Sequence, residues 1–474
     1  MRGFCLALLL TASTPLLAQE TPSALTADEV MAASAVHFPS ILASLADRRA
    51  AEGRALEAEG AFDLVFSADG FNRASGFYDG ATVVTGKAER RLRSMGASVY
   101  TGYRLSDGEF PIYEDVYFTN SGGELTIGVL FSLLRDREID SQRFGVSDAA
   151  LALREADQEL MLVRIGVQRR ALIAYWKWVT EGRKLGVYTD LVRIAEDREE
   201  GLEQQVRRGA RAEIFLTENL QNLTRRRTLA AAAERDFRRA ANELSYYYRD
   251  ANGQPRLPGA NRLPPLPDPE AVAQSPALPE GSVSDALLRR PELLKIRATI
   301  ERVRNRILLA ENDLKPKLDF SLGVDHDFGG VAEGGPSRDG TDTKVGLTFS
   351  IPLERRQARG RIATAEAQLD ALRQRQRRTQ DEIEIEVRNI LINLDVANEL
   401  LRLAVDQVSQ AERMRDAERR RFDSGASDFF LVNLREETAA NARILYHQAR
   451  LEREKAIADY SAATVDIERL NVSF

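Results

Sequence analysis

Two landmarks recur at one spacing along this chain, and that recurrence limits the folds open to it. Gly128-Val129-Leu130-Phe131-Ser132-Leu133 leads into a long charged segment, and Gly346-Leu347-Thr348-Phe349-Ser350-Ile351 leads into another 218 residues later. Arg208-Gly209-Ala210 interrupts the first charged segment and Ser424-Gly425-Ala426 interrupts the second, 216 residues on. Two unrelated landmarks that keep nearly one offset mark a duplicated unit of roughly 200 residues, far longer than a solenoid repeat. Each copy combines alternating strands with very long helices, and few architectures need both.

The second copy shows the pattern most clearly. Leu318, Phe320, Leu322 and Val324 alternate with Asp319, Ser321, Gly323 and Asp325, and Val345, Leu347, Phe349 and Ile351 alternate with Lys344, Gly346, Thr348 and Ser350. Period two is the mark of strands with one apolar face. A helix is expected from Val283 to about Asp313 before them, ended by Lys315-Pro316. After them, Glu354 to Asp423 carries no proline and reads as one helix. Its seam of Ile383, Val387, Ile390, Leu394, Ala397, Leu401, Ala404, Val408 and Ala411 follows coiled-coil spacing. Seventy residues at ~1.5 Å each make a rod of roughly 100 Å.

The first copy repeats this order: a helix over about Ala27 to Glu59, strand residues from Phe62, Leu64 and Phe66 to Leu125–Leu133, a rod over about Arg137 to Arg207, then a helix from Ala212 to Tyr248. Arg169 and Arg183 interrupt the first rod's seam. Further alternating stretches at Val83 to Leu92 and Ala97 to Leu105 form an additional hairpin whose place in the sheet the sequence leaves open. A rod that folds back at its glycine is paired along its length only by two shorter helices stacked end to end. The division is therefore 19–249 for the first repeat, 250–282 for a proline-rich linker containing Leu263-Pro264-Pro265-Leu266-Pro267, and 283–474 for the second repeat.

Residues 1–18 read as a secretory leader, with Arg2, an apolar run from Phe4 to Leu10, and cleavage between Ala18 and Gln19. The run is too short to span a bilayer. Cys5 is the chain's single cysteine and lies in this leader, so the exported chain is expected to have no disulfide and no thiolate chemistry. The net charge is −6, and −7 once Arg2 leaves. That balance excludes nucleic acid as a partner. A chain of this composition that crosses a membrane is expected to do so as a closed β-barrel.

Lys315-Pro316-Lys317-Leu318-Asp319-Phe320, Phe349-Ser350-Ile351-Pro352-Leu353, Arg361-Ile362-Ala363-Thr364-Ala365-Glu366, Arg421-Phe422-Asp423-Ser424-Gly425-Ala426 and Arg289-Arg290-Pro291-Glu292-Leu293 occur in one order. In these motifs, and in its duplication, the chain resembles the TolC-type outer-membrane efflux protein family. The resemblance covers nearly all of the chain after the leader, most strongly from Leu287 to Leu470. It implies an α+β membrane protein: a homotrimer closing a 12-stranded outer-membrane β-barrel, with four or more strands per protomer, continued by a long periplasmic α-helical barrel. It implies a passive exit duct, coupled to an inner-membrane transporter through a periplasmic adaptor, with outer-membrane lipid around the strands.

In the family the periplasmic end opens where the helical hairpins turn, here at Gly209-Ala210 and Gly425-Ala426. Some relatives carry aspartates six and nine residues after the second glycine. This sequence has Leu431 and Leu434 there, so an aspartate ring is not expected; the candidates are a hydrophobic constriction, with Asp428 near its rim, or leucines that pack between helices.

The remaining features favour plain readings. His37, His326 and His447 lie far apart without metal spacing, and no metal or cofactor is expected. Asp325-His326-Asp327 reads as part of a polar extracellular loop. Glu382, Glu384 and Glu386 read as a solvated helix face, and Tyr175, Trp176 and Trp178 as packing residues. No constellation supports an enzyme. The competing readings are a periplasmic adaptor, which normally has one helical hairpin, and a soluble coiled-coil scaffold.

Overall fold

The computed structural model describes residues 23–75, 80–266, 282–332 and 338–472. The expected leader, its cleavage point at Ala18–Gln19 and Phe474 lie outside them. Helices α1 (Ala27–His37) and α2 (Pro39–Glu59) lead into strands β1 (Leu64–Arg73), β2 (Ala81–Arg91), β3 (Ser98–Asp107) and β4 (Glu124–Ser132). The first rod, α3 (Ser141–Arg207), and α4 (Glu213–Ser245) follow. The second repeat runs α5 (Ser282–Arg289), α6 (Pro291–Asn312), β5 (Lys317–Asp327), β6 (Thr341–Ser350), the rod α7 (Arg356–Asp423) and α8 (Phe429–Thr464).

The rods have 67 and 68 residues, about 100 Å each. Each is flanked by two shorter helices in series. On α3, Phe38 and Ile41 of the α1–α2 junction and helix meet Leu160 and Val167, while Phe237, Ala241 and Leu244 of α4 meet Tyr175, Trp178 and Val179. On α7, Ile300 and Val303 of α6 meet Ala365 and Leu369, while Ala439, Ala442, Tyr446 and Ala456 of α8 cover Ala411, Leu401 and Leu394. The expected seam from Ile383 to Ala411 is the buried stripe, with Ile390 and Val408 half-buried. Arg169 and Arg183, which interrupt the first seam, find partners: Arg169 pairs with Asp459 at 2.5 Å and Arg183 donates to the Pro264 carbonyl.

Two expectations need correction. The helices read as continuous over 27–59 and 283–313 each break, at Pro39 and Pro291. Proline pushes its predecessor out of the helical region, and Phe38 (φ −77°, ψ 126°) and Arg290 (φ −60°, ψ 121°) are both extended. The proline then opens the next helix at a position where the missing N–H is not needed. Asp325-His326-Asp327 is the end of β5 rather than a loop; the His326 ring nitrogen meets Thr341 Oγ1 on β6 at 3.0 Å, and Asp327 accepts from the Asn120 backbone N–H at 2.9 Å.

All six strands form one antiparallel sheet in the order β1-β2-β3-β4-β5-β6. The stretches at 83–92 and 97–105 therefore join it. The register puts Phe66, Val84, Leu105, Ile127, Val129, Leu322, Val345 and Leu347 on one face. Many are exposed: Phe66 by 73%, Ile127 by 56% and Leu347 by 67%. The six strands among the described residues satisfy four or more per protomer, but three copies amount to twelve only if two strands of each stay out of the wall.

Among the described residues no single helix is long and apolar enough to cross a membrane; the bent pair α1–α2 passes by length and composition only. After α8, Val465 turns left-handed (φ 57°), and Leu470 and Val472 pack against Met161 and Ile165 on α3. The tail of the second repeat thus rests on the sheet-side half of the first rod.

Candidate functional site

At the end farthest from the sheet, both rods fold back through the same turn. Gly209 (φ +69°) and Gly425 (φ +76°) occupy the left-handed region that favours glycine. Ala210 N–H donates to the Gln205 carbonyl at 2.9 Å and Ala426 N–H to Arg421 at 2.8 Å, while Gly209 and Gly425 donate to Val206 and Phe422, each at 2.9 Å. These bonds satisfy the last carbonyls of each rod. The four turn residues singled out from the sequence therefore close two matched hairpins at one end of the molecule.

Arg211, just past the first turn, lies 5.3 Å over the Phe215 ring and 5.5 Å over Phe422, at the second. Behind the turns sits a buried polar cluster that joins the two hairpins. Arg226 of α4, 1% exposed, donates to Glu436 Oε2 of α8 at 3.0 Å and to the Leu191 carbonyl of α3 at 3.0 Å. Arg198 of α3 donates to Glu436 and to Asn433 Oδ1, the latter at 2.7 Å, and lies 5.0 Å over Phe429. Burial pushes the Arg226 guanidinium below its ordinary value while Glu436 opposes that. One carboxylate thus holds two guanidinium groups from two helices of the other repeat. Sequence reading missed this cluster. Its signal was Asn219 and Arg226 at seam positions of α4, alongside Leu223, Ala233, Phe237, Ala240 and Leu244.

Asp428 caps α8, its carboxylate accepting from Leu431 N–H at 2.8 Å. Leu431 is half-buried, Leu434 is 43% exposed and Phe430 63% exposed, whereas Phe429 and Val432 are buried. Asp428, Leu431 and Leu434 follow one another at three-residue steps on one side of α8, and packing within the protomer does not cover Leu434.

Farther up, His447 of α8 is buried. Desolvation, with the charges of Arg183, Arg450, Arg443 and Lys184, pushes its imidazole down to about 4. An unfolded histidine titrates near 6.5, so the unfolded chain binds the proton more readily. The stability from neutral His447 is complete above about pH 6.5 and is lost as pH falls toward 4. Melting midpoints of wild type and His447→Gln at pH 7 and pH 5 check this: the wild type should lose on the order of 2 kcal/mol more than the variant. Parallel losses would remove His447 as the cause.

A second seam on α7, Ile385, Ile392, Val396, Leu400 and Leu403, is left 48–60% exposed, and Val396, Leu400 and Leu403 line a groove of about 700 Å³ with Leu445 of α8.

Residues 282–464 match the outer membrane efflux protein family. The fold is that of solved outer-membrane proteins. OprN, an outer-membrane channel, shares 16% identity over 92% of this chain and 89% of its own, with a TM-score of 0.60. VceC of Vibrio cholerae shares 15% over 92% and 95%, with a TM-score of 0.60. MtrE of Neisseria gonorrhoeae, an outer-membrane channel solved in its open state, shares 14% over 92% and 88%, with a TM-score of 0.62. Among curated proteins no sequence matches.

Proposed function

We infer that this chain, whose residues 282–464 match the outer membrane efflux protein family, is the exit duct of an export system. Its sheet lies in the outer membrane and its rods extend into the periplasm. The observation that carries the reading is a six-stranded sheet with one continuous apolar face, set at the head of rods about 100 Å long. Such a sheet has two free edges, β1 and β6, and in a membrane every edge must be paired. Three copies pair them edge to edge. The exposed seam of α7 gives each copy an apolar face for its neighbour along the rods.

The duct performs no reaction. Cargo moves through it by the work of an inner-membrane transporter, reached through a periplasmic adaptor that engages the distal hairpins. The repeat boundaries at 19–249, 250–282 and 283–474 are the units of this design. An adaptor or a soluble scaffold would have no use for an apolar sheet face exposed on all six strands.

Leu431 and Leu434 supply a hydrophobic narrowing near the distal end, with Asp428 at its rim, and narrow apolar passages resist ions by dewetting. In planar bilayers the wild type should form small, stable channels, and Leu431→Ser with Leu434→Ser should raise the conductance several-fold. Recovery of the mature protein in the soluble fraction after detergent-free lysis would sink the duct. Unchanged conductance in the double variant would remove only these leucines from the narrowing.

A further inference from the structure

The two repeats differ chiefly in one place. Fifty residues separate β1 from β4, but thirteen separate β5 from β6, while the rods that follow match to within one residue. β1 therefore corresponds to β5 and β4 to β6, and β2–β3 is an additional hairpin held between β1 and β4. It is not folded onto a face of the sheet. β1 pairs with β2 from Leu64↔Arg90 to Arg73↔Ala81, and β3 pairs with β4 from Ser98↔Leu130 to Arg104↔Glu124.

The division into two faces continues across it. Val84, Gly86 and Ala88 of β2 and Val99, Thr101, Tyr103 and Leu105 of β3 share the apolar face with Phe66 and Ile127. On the other face Lys87 pairs with Glu89 at 2.8 Å and lies 5.3 Å over the Tyr100 ring, and Arg104 pairs with Glu124 at 3.3 Å. An insertion of two strands leaves the direction of every other strand unchanged, so β4 still delivers the chain to α3.

We propose that this hairpin is part of the membrane wall, so that three copies close an eighteen-stranded barrel, β1 of one copy pairing with β6 of the next. The proposal rests on the trimeric-duct reading and adds the strand count to it. Circumference supports it. Strands about 4.8 Å apart and tilted about 40° close at a backbone diameter of about 24 Å for twelve and about 36 Å for eighteen. At any level of the rods each copy presents four helices. Twelve axes spaced about 8–10 Å apart close at about 31–38 Å. Eighteen strands fit that ring at this ordinary tilt, whereas twelve reach it only when tilted by roughly 55–60°. The outer mouth then has about twice the cross-section of a twelve-stranded one, and the distal hairpins, not the membrane, limit the size of what leaves.

Disulfide trapping tests this in the assembled protein, because the chain has a single native cysteine, Cys5, which a Cys5→Ser background removes. Residues directly opposite on neighbouring strands are about 5 Å apart, within disulfide reach. With the hairpin in the wall, β1 and β4 are three strand spacings apart, about 14 Å. Ser67→Cys with Lys87→Cys, and Gly102→Cys with Thr126→Cys, should each oxidise within one chain, while Ser67→Cys with Gly128→Cys should not. Bridging of the Ser67–Gly128 pair with the other two open would overturn the proposal, since β1 would then lie directly on β4. Closure between copies is read separately. Ser67→Cys combined in turn with Gly346→Cys, Thr348→Cys and Ser350→Cys should yield a covalent trimer on a non-reducing gel. No intermolecular bridge in any of the three would overturn the duct itself, whatever the strand count.

Discussion

Replacing Glu436 with alanine should destabilise the distal end by about 3–5 kcal/mol, because it leaves a buried cation without its counter-charge. Arg226 is 1% exposed and cannot turn to water without opening the packing between α3, α4 and α8. Arg198 loses the same partner. The effect should be local. Trypsin should cut faster at Arg207, Arg208 and Arg211, and at Arg419 to Arg421, while the sheet and the α2–α3 and α6–α7 pairs stay protected. Arg226→Met combined with Glu436→Leu should restore much of the resistance, since an apolar pair of similar volume in place of a buried ion pair is often tolerated. Equal digestion of wild type and Glu436→Ala would mean that the cluster does not hold the hairpins together.

The second large effect lies near mid-rod. Trp178 is fully buried against Phe237, with ring centroids 6.2 Å apart, and shares its cluster with Leu25, Ala240, Leu244 and Tyr248. Trp178→Ala should cost about 3–5 kcal/mol through lost burial and the cavity left behind. Trp178→Phe should cost much less, because the buried indole Nε1 has no hydrogen-bond partner to lose. Denaturant midpoints of the detergent-solubilised protein measure both. Equal losses for the two variants would show that a phenyl ring cannot replace the packing of the indole. Trp178 and Arg198 lie twenty residues apart on one helix, about 30 Å, so the losses at the two sites should add.

The rods were legible from sequence because the four-three spacing from Ile383 to Ala411 repeats often enough to define a face without knowing its partner. The breaks at Pro39 and Pro291 were not read, since apolar positions continue in phase on both sides and mask the change in direction. For the strands, period two told which residues share a face, but not which strand lies beside which. The pairing of Val129 with Leu322 joins residues far apart in the chain, and only that pairing, with its neighbours, puts the hairpin of β2 and β3 inside the sheet. The distal cluster was hidden for a related reason. Arg198, Arg226 and Glu436 are ordinary members of a highly charged sequence, and only the meeting of three helices separates them from solvated neighbours. Gly209 and Gly425 were legible because a left-handed turn between two rods has a strong local residue preference.

The short tail after α8 has a practical side. Leu470 is fully buried and Val472 nearly so, both held on α3 near Met161 and Ile165. A purification tag or fluorescent protein joined directly after Val472 would therefore start against the rods, close to Met161 and Ile165. Labels for imaging belong instead on the loop between β5 and β6, at the opposite end from the turning hairpins.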